Sequence, residues 1–189
     1  MSKPKESREY VIRGPFAVDI ERPKKYWMKL PDNIIDKFFA PTRCEKYKTK
    51  IGVYIFARKH GDSYTPIYIG KSTNSFFAEV FNPSNRLTYN DAIMEMNGSF
   101  VIFLILPIDV DNDDSWASNY KEVTHRRSCE IDDIETYFIY RASKVCSCLK
   151  NKQKRRVSEW YINDVIRGSK TKGRKSSPLK EFRKMMGFK

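Results

Sequence analysis

The sequence predicts an α/β fold of the mixed α+β kind: a small three-stranded antiparallel sheet flanked by helices. Three observations predict it. Residues 51–58 are β-rich and alternate in hydropathy, and residues 66–70 follow after a turn, which is typical of a hairpin. Residues 100–108 form a continuous apolar run, as expected for a central strand buried on both faces. Residues 128–149 carry apolar side chains at helical spacing, and Ser128 can cap the helix start.

Local sequence features also predict the remaining elements. Prolines interrupt residues 1–30 and no helical period emerges there, so we expect an extended arm. A short capped helix is expected at 34–39. Residues 86–96 have helical character after a proline-containing break, and a last short helix is expected near 179–186.

Alternation along the hairpin assigns its side chains to two faces. The first strand has Tyr54 and Phe56 on one face and Val53, Ile55 and Ala57 on the other. In the second strand, Ile67 and Ile69 lie opposite Tyr68. Tyr54 and Tyr68 therefore emerge on the same face, and Lys71 follows directly. Such a pair of tyrosines is either a part of the core or rim, or a pair of site residues.

Composition limits the class of protein. The chain has 189 residues, 40% of them apolar, which is enough for one domain with appendages. Its longest apolar run has nine residues, whereas a membrane-spanning helix needs about 20. The first residues carry no hydrophobic signal segment, and the four cysteines lack the spacing of a zinc site. We therefore expect no membrane partner, a cytoplasmic location and reduced thiols.

The net charge of +13 is concentrated at one end of the chain. Residues 150–189 carry 14 basic and 3 acidic side chains, interleaved with Trp160 and Tyr161. This pattern predicts a polyanionic partner, with DNA or RNA as the natural candidate. A solubilising tail is the alternative. The candidate nucleic-acid-binding residues are Lys152, Lys154, Arg155, Arg156, Arg167, Lys170, Lys172, Arg174 and Lys175.

Glu135 is out of place on the long helix. It lies one turn from both Ile131 and Phe138, at the edge of the apolar stripe, where a carboxylate is costly unless something pairs with it. One interpretation is an ion pair with Arg126, Arg127 or Arg141. The other is a ligand for a hard cation such as Mg²⁺, which binds through one or two carboxylates, waters and phosphate oxygens.

Two tripeptides connect these residues to a known family. Gly52-Val53-Tyr54 and Tyr68-Ile69-Gly70 resemble the paired signature of the GIY-YIG nucleases, with the tyrosines fourteen residues apart. An arginine-bearing segment, a buried strand, a helix resembling the family's metal-binding helix and then Asn151 follow in the family's order. The resemblance covers about residues 50–152. It leaves residues 1–49 as an arm with a short helix and residues 153–189 as a basic extension.

The resemblance implies a role for each matching residue. Tyr54 would help to deprotonate the attacking water, and Tyr68 would orient that water or the phosphate. Arg86 would stabilise charge on the scissile phosphate, and Glu135 would hold one Mg²⁺ or Mn²⁺. Asn151 would position the helix end or the phosphate. From the residues alone, Arg86 is equally a surface charge at a helix start, and Asn151 a plain helix C-cap.

A tyrosine base needs a cause for its ionisation. An ordinary phenol has a pKa of about 10, so only about one in a thousand is ionised at neutral pH. Lys71 is the candidate cation that would lower the pKa of Tyr54. Alternatively, Lys71 contacts phosphate and a metal-bound hydroxide is the nucleophile.

The expected function is that of a divalent-metal-dependent endonuclease that hydrolyses DNA phosphodiester bonds, in a restriction, defence or mobile-element-like role. The first alternative is a non-catalytic nucleic-acid-binding module on the same fold. A basic protein that scaffolds nucleic acid is another, although it leaves Glu135 unexplained.

Overall fold

The structure, a computed structural model, describes residues 10–24, 27–107, 125–151 and 177–188. Its elements, in chain order, are β1 (Tyr10–Val18), β2 (Glu21–Lys24), β3 (Trp27–Lys29), α1 (Ile34–Phe38), β4 (Gly52–His60), β5 (Ser63–Ser72), α2 (Phe76–Glu79), α3 (Pro83–Glu95), β6 (Ser99–Pro107), α4 (His125–Val145) and α5 (Ser177–Met185). The class is α+β, as predicted. Within the described ranges, no helix is both long and apolar enough to cross a membrane.

The main sheet has four strands, not the three predicted. Its order is β1-β6-β4-β5, and every neighbouring pair is antiparallel. The extra strand is β1, which comes from the stretch expected to be an extended arm. It pairs with β6 across a register irregularity between Arg13 and Phe16, which takes up Gly14 and Pro15. Pro15 thus lies at an irregularity in an outer strand, a setting in which sheets tolerate proline.

The sheet separates two cores. Val53, Ile55 and Ala57 of β4 face α4 and α5, on the side that we call the α4 face. Tyr54 and Phe56 face α1, α2 and α3, on the side that we call the α3 face. The alternation predicted for this strand is therefore confirmed. Strand β6 contributes to both cores, as expected of a strand that is buried on both sides.

A bulge in β5 changes the predicted faces of the second strand. Phe56 pairs with Tyr68, but the next residue of β4 pairs with Pro66, so Ile67 is the extra residue. Ile67 consequently lies in the core of the α3 face, whereas Ile69 lies in that of the α4 face. The prediction that these isoleucines share a face is wrong, because a bulge interrupts the period of two.

The chain ends outside residues 50–152 complete the same cores. Phe182 of α5 packs edge to face against Phe103 and Phe138 on the α4 face. On the other side of the sheet, Ile34 and Phe38 of α1 are fully buried. The described parts of both flanking regions therefore pack with the central region. Helix α4 begins at His125, so Ser128 lies inside the helix and not at its cap.

The cysteines differ from the expectation of reduced thiols. Cys146 and Cys148 form a disulfide just after α4. Cys44 is a buried free thiol, and burial raises its pKa to about 12, so it stays protonated at neutral pH.

Candidate active site at the outer strand of the sheet

Tyr54 reaches across the sheet to its outer strand. It pairs directly with Gly70 of β5, and a Cβ on Gly70 would lie 2.8 Å from Cε2 of Tyr54 and closer still to Cζ and Oη. The phenol ring thus crosses β5 at the one position that has no side chain. Glycine is required at position 52 for a similar reason: its φ is +148°, and a Cβ there would meet the Ile105 carbonyl of β6. Both tripeptide glycines allow close approach.

The two tyrosines meet on the α3 face, as the alternation predicted. Their rings are stacked with centroids 6.3 Å apart. Tyr54 is only 2% exposed, whereas Tyr68 is half-buried. Of the pair, Tyr68 is therefore the one that a ligand can reach.

Carboxylates lie beside both phenols. Burial is the largest cause that raises the pKa of Tyr54 and of Tyr68, and the negative charges of Glu135 and Glu79 raise both pKa values further. Glu135 is half-buried and so is not sealed in the core. The charges of Glu135 on α4 and Glu79 on α2 therefore act on the tyrosines of β4 and β5.

Asn85 rather than Arg86 contacts Tyr54. Asn85 is buried, and its Nδ2 donates to Tyr54 Oη at 2.7 Å. Arg86 donates to the Pro31 carbonyl at 3.4 Å and lies 3.9 Å from Asp32, in the loop before α1. These contacts agree with the interpretation of Arg86 as a surface charge at a helix start. The residue is half-exposed.

Lys71 is on the other face of the sheet. It pairs with Val53 in the register of β4 and β5, and its ammonium forms a salt bridge with Asp132 of α4. It is therefore not the cation that would make Tyr54 a phenolate. The pKa of Tyr54 is raised, not lowered, chiefly because the ring is buried. The expectation of a tyrosine base activated by Lys71 is contradicted on both counts.

Asn151 binds the outer strand. Its Oδ1 accepts from the Ile69 amide at 3.2 Å, and its Nδ2 donates to the Ile69 carbonyl. The preceding backbone amide, of Lys150, donates to the Ile67 carbonyl at 2.7 Å. Asn151 is not the C-cap of α4, which ends at Val145. It satisfies backbone groups of β5 that would otherwise lack a partner strand.

The sequence interpretation missed Asn85, Glu79 and Tyr89. Asn85 and Tyr89 stand one turn apart on the buried face of α3, over the two site tyrosines. The sequence carried no local signal for Asn85, because only the packed structure shows which face of α3 is buried. Glu79 gave no signal either, because its position depends on a four-residue helix.

The structure bears in different ways on the predicted metal site and on the predicted nucleic-acid-binding residues. In the part of the chain that the structure describes, no three His, Cys, Asp or Glu side chains cluster as a metal-holding group. The basic residues predicted to bind nucleic acid, from Lys152 to Lys175, lie outside the described residues.

Comparison with known proteins gave no match. No family model matches the chain. Neither the curated proteins nor the solved structures contain a significant match to it. The case for a function therefore depends on the geometry of the side chains themselves.

Proposed function

We propose that this protein is a divalent-metal-dependent endonuclease that hydrolyses DNA phosphodiester bonds, in line with its resemblance to the GIY-YIG nucleases. One observation carries the proposal: Tyr54 and Tyr68, from two neighbouring strands, stack on each other, and the half-buried carboxylate of Glu135, from a third element, raises the pKa of both.

The side chains fit a single hard cation. Mg²⁺ needs only one or two protein carboxylates, because waters and phosphate oxygens complete its shell. Glu135 would be the main ligand, and Glu79 lies near the same phenols. The bound ion would supply positive charge at the scissile phosphate. Tyr68, the more accessible phenol, would orient the phosphate or the attacking water.

Arg86 keeps its proposed role as a cation for the phosphate. Its guanidinium is half-exposed, and its partners are a backbone carbonyl at 3.4 Å and an Asp32 carboxylate at 3.9 Å. Such long contacts at the surface are weak, so phosphate can compete for the guanidinium. The strongly basic region after residue 149 would hold the nucleic-acid backbone.

The test is cleavage of single- and double-stranded DNA with Mg²⁺, with RNA substrates alongside. We expect EDTA to abolish cutting and Glu135→Gln to lower the rate at least 100-fold, the scale for losing one preorganised electrostatic group. Asp133→Asn is the matched control, because it removes the same charge from an exposed position on the same helix. Cutting by Glu135→Gln at the wild-type rate would remove the metal assignment.

The second candidate is a nucleic-acid-binding module without turnover. The near-complete burial of Tyr54 and the direction of Arg86 towards Pro31 favour it. In that case DNA binding would persist with a steep salt dependence. Neither Mg²⁺ nor Glu135→Gln would produce or remove a cleaved product.

A further inference from the structure

We propose that Cys146 and Cys148 form a redox-active site that exchanges with low-molecular-weight thiols of the glutathione class, and that the state of their disulfide sets how firmly the following residues hold strand β5. This inference goes beyond the proposed nuclease function and does not depend on it. Three neighbouring features carry it: the disulfide, the turn in which it lies, and the hydrogen bonds that the next residues make to the sheet.

The disulfide encloses a single residue. Cys146 and Cys148 are two positions apart, and only Ser147 lies between them. A disulfide stabilises a fold mainly by restricting the unfolded chain, and this effect grows with the length of the closed loop. The bond between these two cysteines therefore contributes little to the stability of the fold. We expect both cores to survive its reduction.

An incoming thiol can reach the disulfide at one of its two sulfurs. Ser147 is exposed and Cys148 is half-buried, whereas Cys146 is only 8% exposed. The Cys148 sulfur is therefore the accessible electrophile, and Cys146 is the leaving group. After reduction, the Cys148 thiol can donate to the Pro66 carbonyl, which lies 3.8 Å from its Sγ. The turn can thus accommodate both the oxidised and the reduced state.

Reduction proceeds by two exchange steps. A thiolate of the small molecule attacks Cys148 Sγ and forms a mixed disulfide, while the bond to Cys146 Sγ breaks and leaves its electron pair on Cys146, which takes a proton from water. A second thiolate attacks the small molecule's sulfur in the mixed disulfide, and Cys148 leaves and is protonated. Two small thiols thereby become one small disulfide, and the protein gains two thiols. The reverse steps reoxidise the pair.

The turn at the disulfide leads directly to the groups that hold β5. The Lys150 amide donates to the Ile67 carbonyl at 2.7 Å. The Asn151 side chain binds both the amide and the carbonyl of Ile69. Tyr68 lies between these two anchored residues of β5. A change that loosens the anchors therefore loosens the strand beside the candidate site.

The disulfide restricts the chain where it leaves α4 and turns towards β5. Cys146 still continues the helical pattern, since its amide donates to the Ala142 carbonyl at 2.8 Å. Leu149 is already buried in the core of the α4 face. The chain must turn between these two points, and the ring closed by the disulfide limits its conformations there. Reduction removes this limit, so the anchors on β5 should open more often, while Leu149 keeps the segment near the sheet.

The first experiment is a redox titration of the full-length Cys129→Ser variant with reduced and oxidised glutathione. The substitution removes the exposed free thiol, and the other free thiol, Cys44, is fully buried. Free thiols are alkylated at each ratio and located by mass spectrometry. Cys146 and Cys148 should become alkylated together and be protected again when the ratio is reversed. A pair that stays closed in excess reduced glutathione, or open in excess oxidised glutathione, overturns the redox site.

The second experiment measures amide hydrogen exchange at Ile69 in both states. This amide donates to Asn151, so its exchange reports the opening of that anchor. Reduction should speed exchange at Ile69 several-fold and leave Ile55, in a strand paired on both sides, unchanged. The double variant Cys146→Ser/Cys148→Ser should exchange like the reduced protein under oxidising and reducing conditions alike. Equal exchange at Ile69 in the oxidised and reduced protein would mean that the disulfide does not act on β5, and the inference would fail.

These outcomes are separate from those of the nuclease test. If the wild-type protein cuts no substrate, the proposed function fails, while the thiol titration and the amide exchange still decide the inference. If the protein cuts DNA but its disulfide does not exchange with glutathione, the inference alone fails.

Discussion

Gly70→Ala tests the geometry at the centre of the candidate site. The new Cβ would lie 2.8 Å from Cε2 of Tyr54 and nearer still to two further ring atoms. Carbon atoms in contact are normally about 3.5–4.0 Å apart. The ring cannot move aside freely, because Tyr54 is 2% exposed and packs against Phe76 and Tyr68. Either the ring or strand β5 must therefore shift.

The expected cost follows from two opposing terms. Overpacking costs about 1–3 kcal/mol, and replacing a glycine inside a strand by alanine recovers about 0.5–1 kcal/mol. We expect Gly70→Ala to lower the free energy of unfolding by about 1–2 kcal/mol. For a chain of this size, that corresponds to a Tm lower by roughly 2–8 °C. Urea titration and a thermal melt measure the two quantities.

A double-mutant cycle identifies the cause. In a Tyr54→Leu background the obstructing ring is gone, so Gly70→Ala should cost nothing or stabilise slightly. Gly61→Ala is the matched control. It carries left-handed strain at φ +56° but has no atom within 4 Å of its Cβ, so its cost should be the same in both backgrounds. If Gly70→Ala costs as much in the Tyr54→Leu background as in the wild-type protein, the ring does not cross Gly70.

Three further predictions concern stability. Burial raises the pKa of Tyr54 and Tyr89, so both stay neutral in the fold while the unfolded chain ionises above pH about 10. Below that pH the free energy of unfolding keeps the full contribution of both buried phenols, and above it the free energy should fall by up to about 1.4 kcal/mol per pH unit for each phenol. In a denaturant titration at several pH values, Tyr89→Phe should remove the contribution of one phenol to this slope. An unchanged slope would contradict the prediction. Asn151→Leu should cost about 1–3 kcal/mol and speed amide exchange at Ile69, whereas unaltered exchange would place Asn151 elsewhere. Phe182→Ala should cost about 3–5 kcal/mol in a urea titration, and a loss below about 1 kcal/mol would mean that α5 does not belong to the core.

Local patterns predicted most of the central fold, since they depend on short-range chemistry. The faces of β4, the buried strand β6 and helix α4 all follow from periodicity within single segments. Strand β1 was missed because Gly14 and Pro15 interrupt its pattern. Only its pairing with β6, far away in the sequence, makes it a strand. The bulge at Ile67 was invisible for the same reason, since a bulge exists only relative to a partner strand.

The candidate site was predictable in part. The shared face of Tyr54 and Tyr68 follows from alternation and is present in the structure. The same alternation puts Lys71 on the face opposite to Tyr68, so its separation from Tyr54 was already implied by the sequence. Asn85 required knowledge of which face of α3 packs on the sheet. No local pattern supplies that, because tertiary packing decides it.

The burial of Tyr54 links the stability of the fold to the chemistry at its edge. Tyr54 crosses a glycine and is buried in the core, and burial keeps it neutral because it raises the pKa of the phenol. These properties suit a group that orients a neighbour better than one that accepts a proton from water. Tyr68 lies on the outer strand β5, whose backbone Asn151 hydrogen-bonds, and its side chain is more exposed than that of Tyr54. Under the proposed function, Tyr68 is therefore the phenol that would meet the substrate, and Tyr54 would support it from inside the sheet.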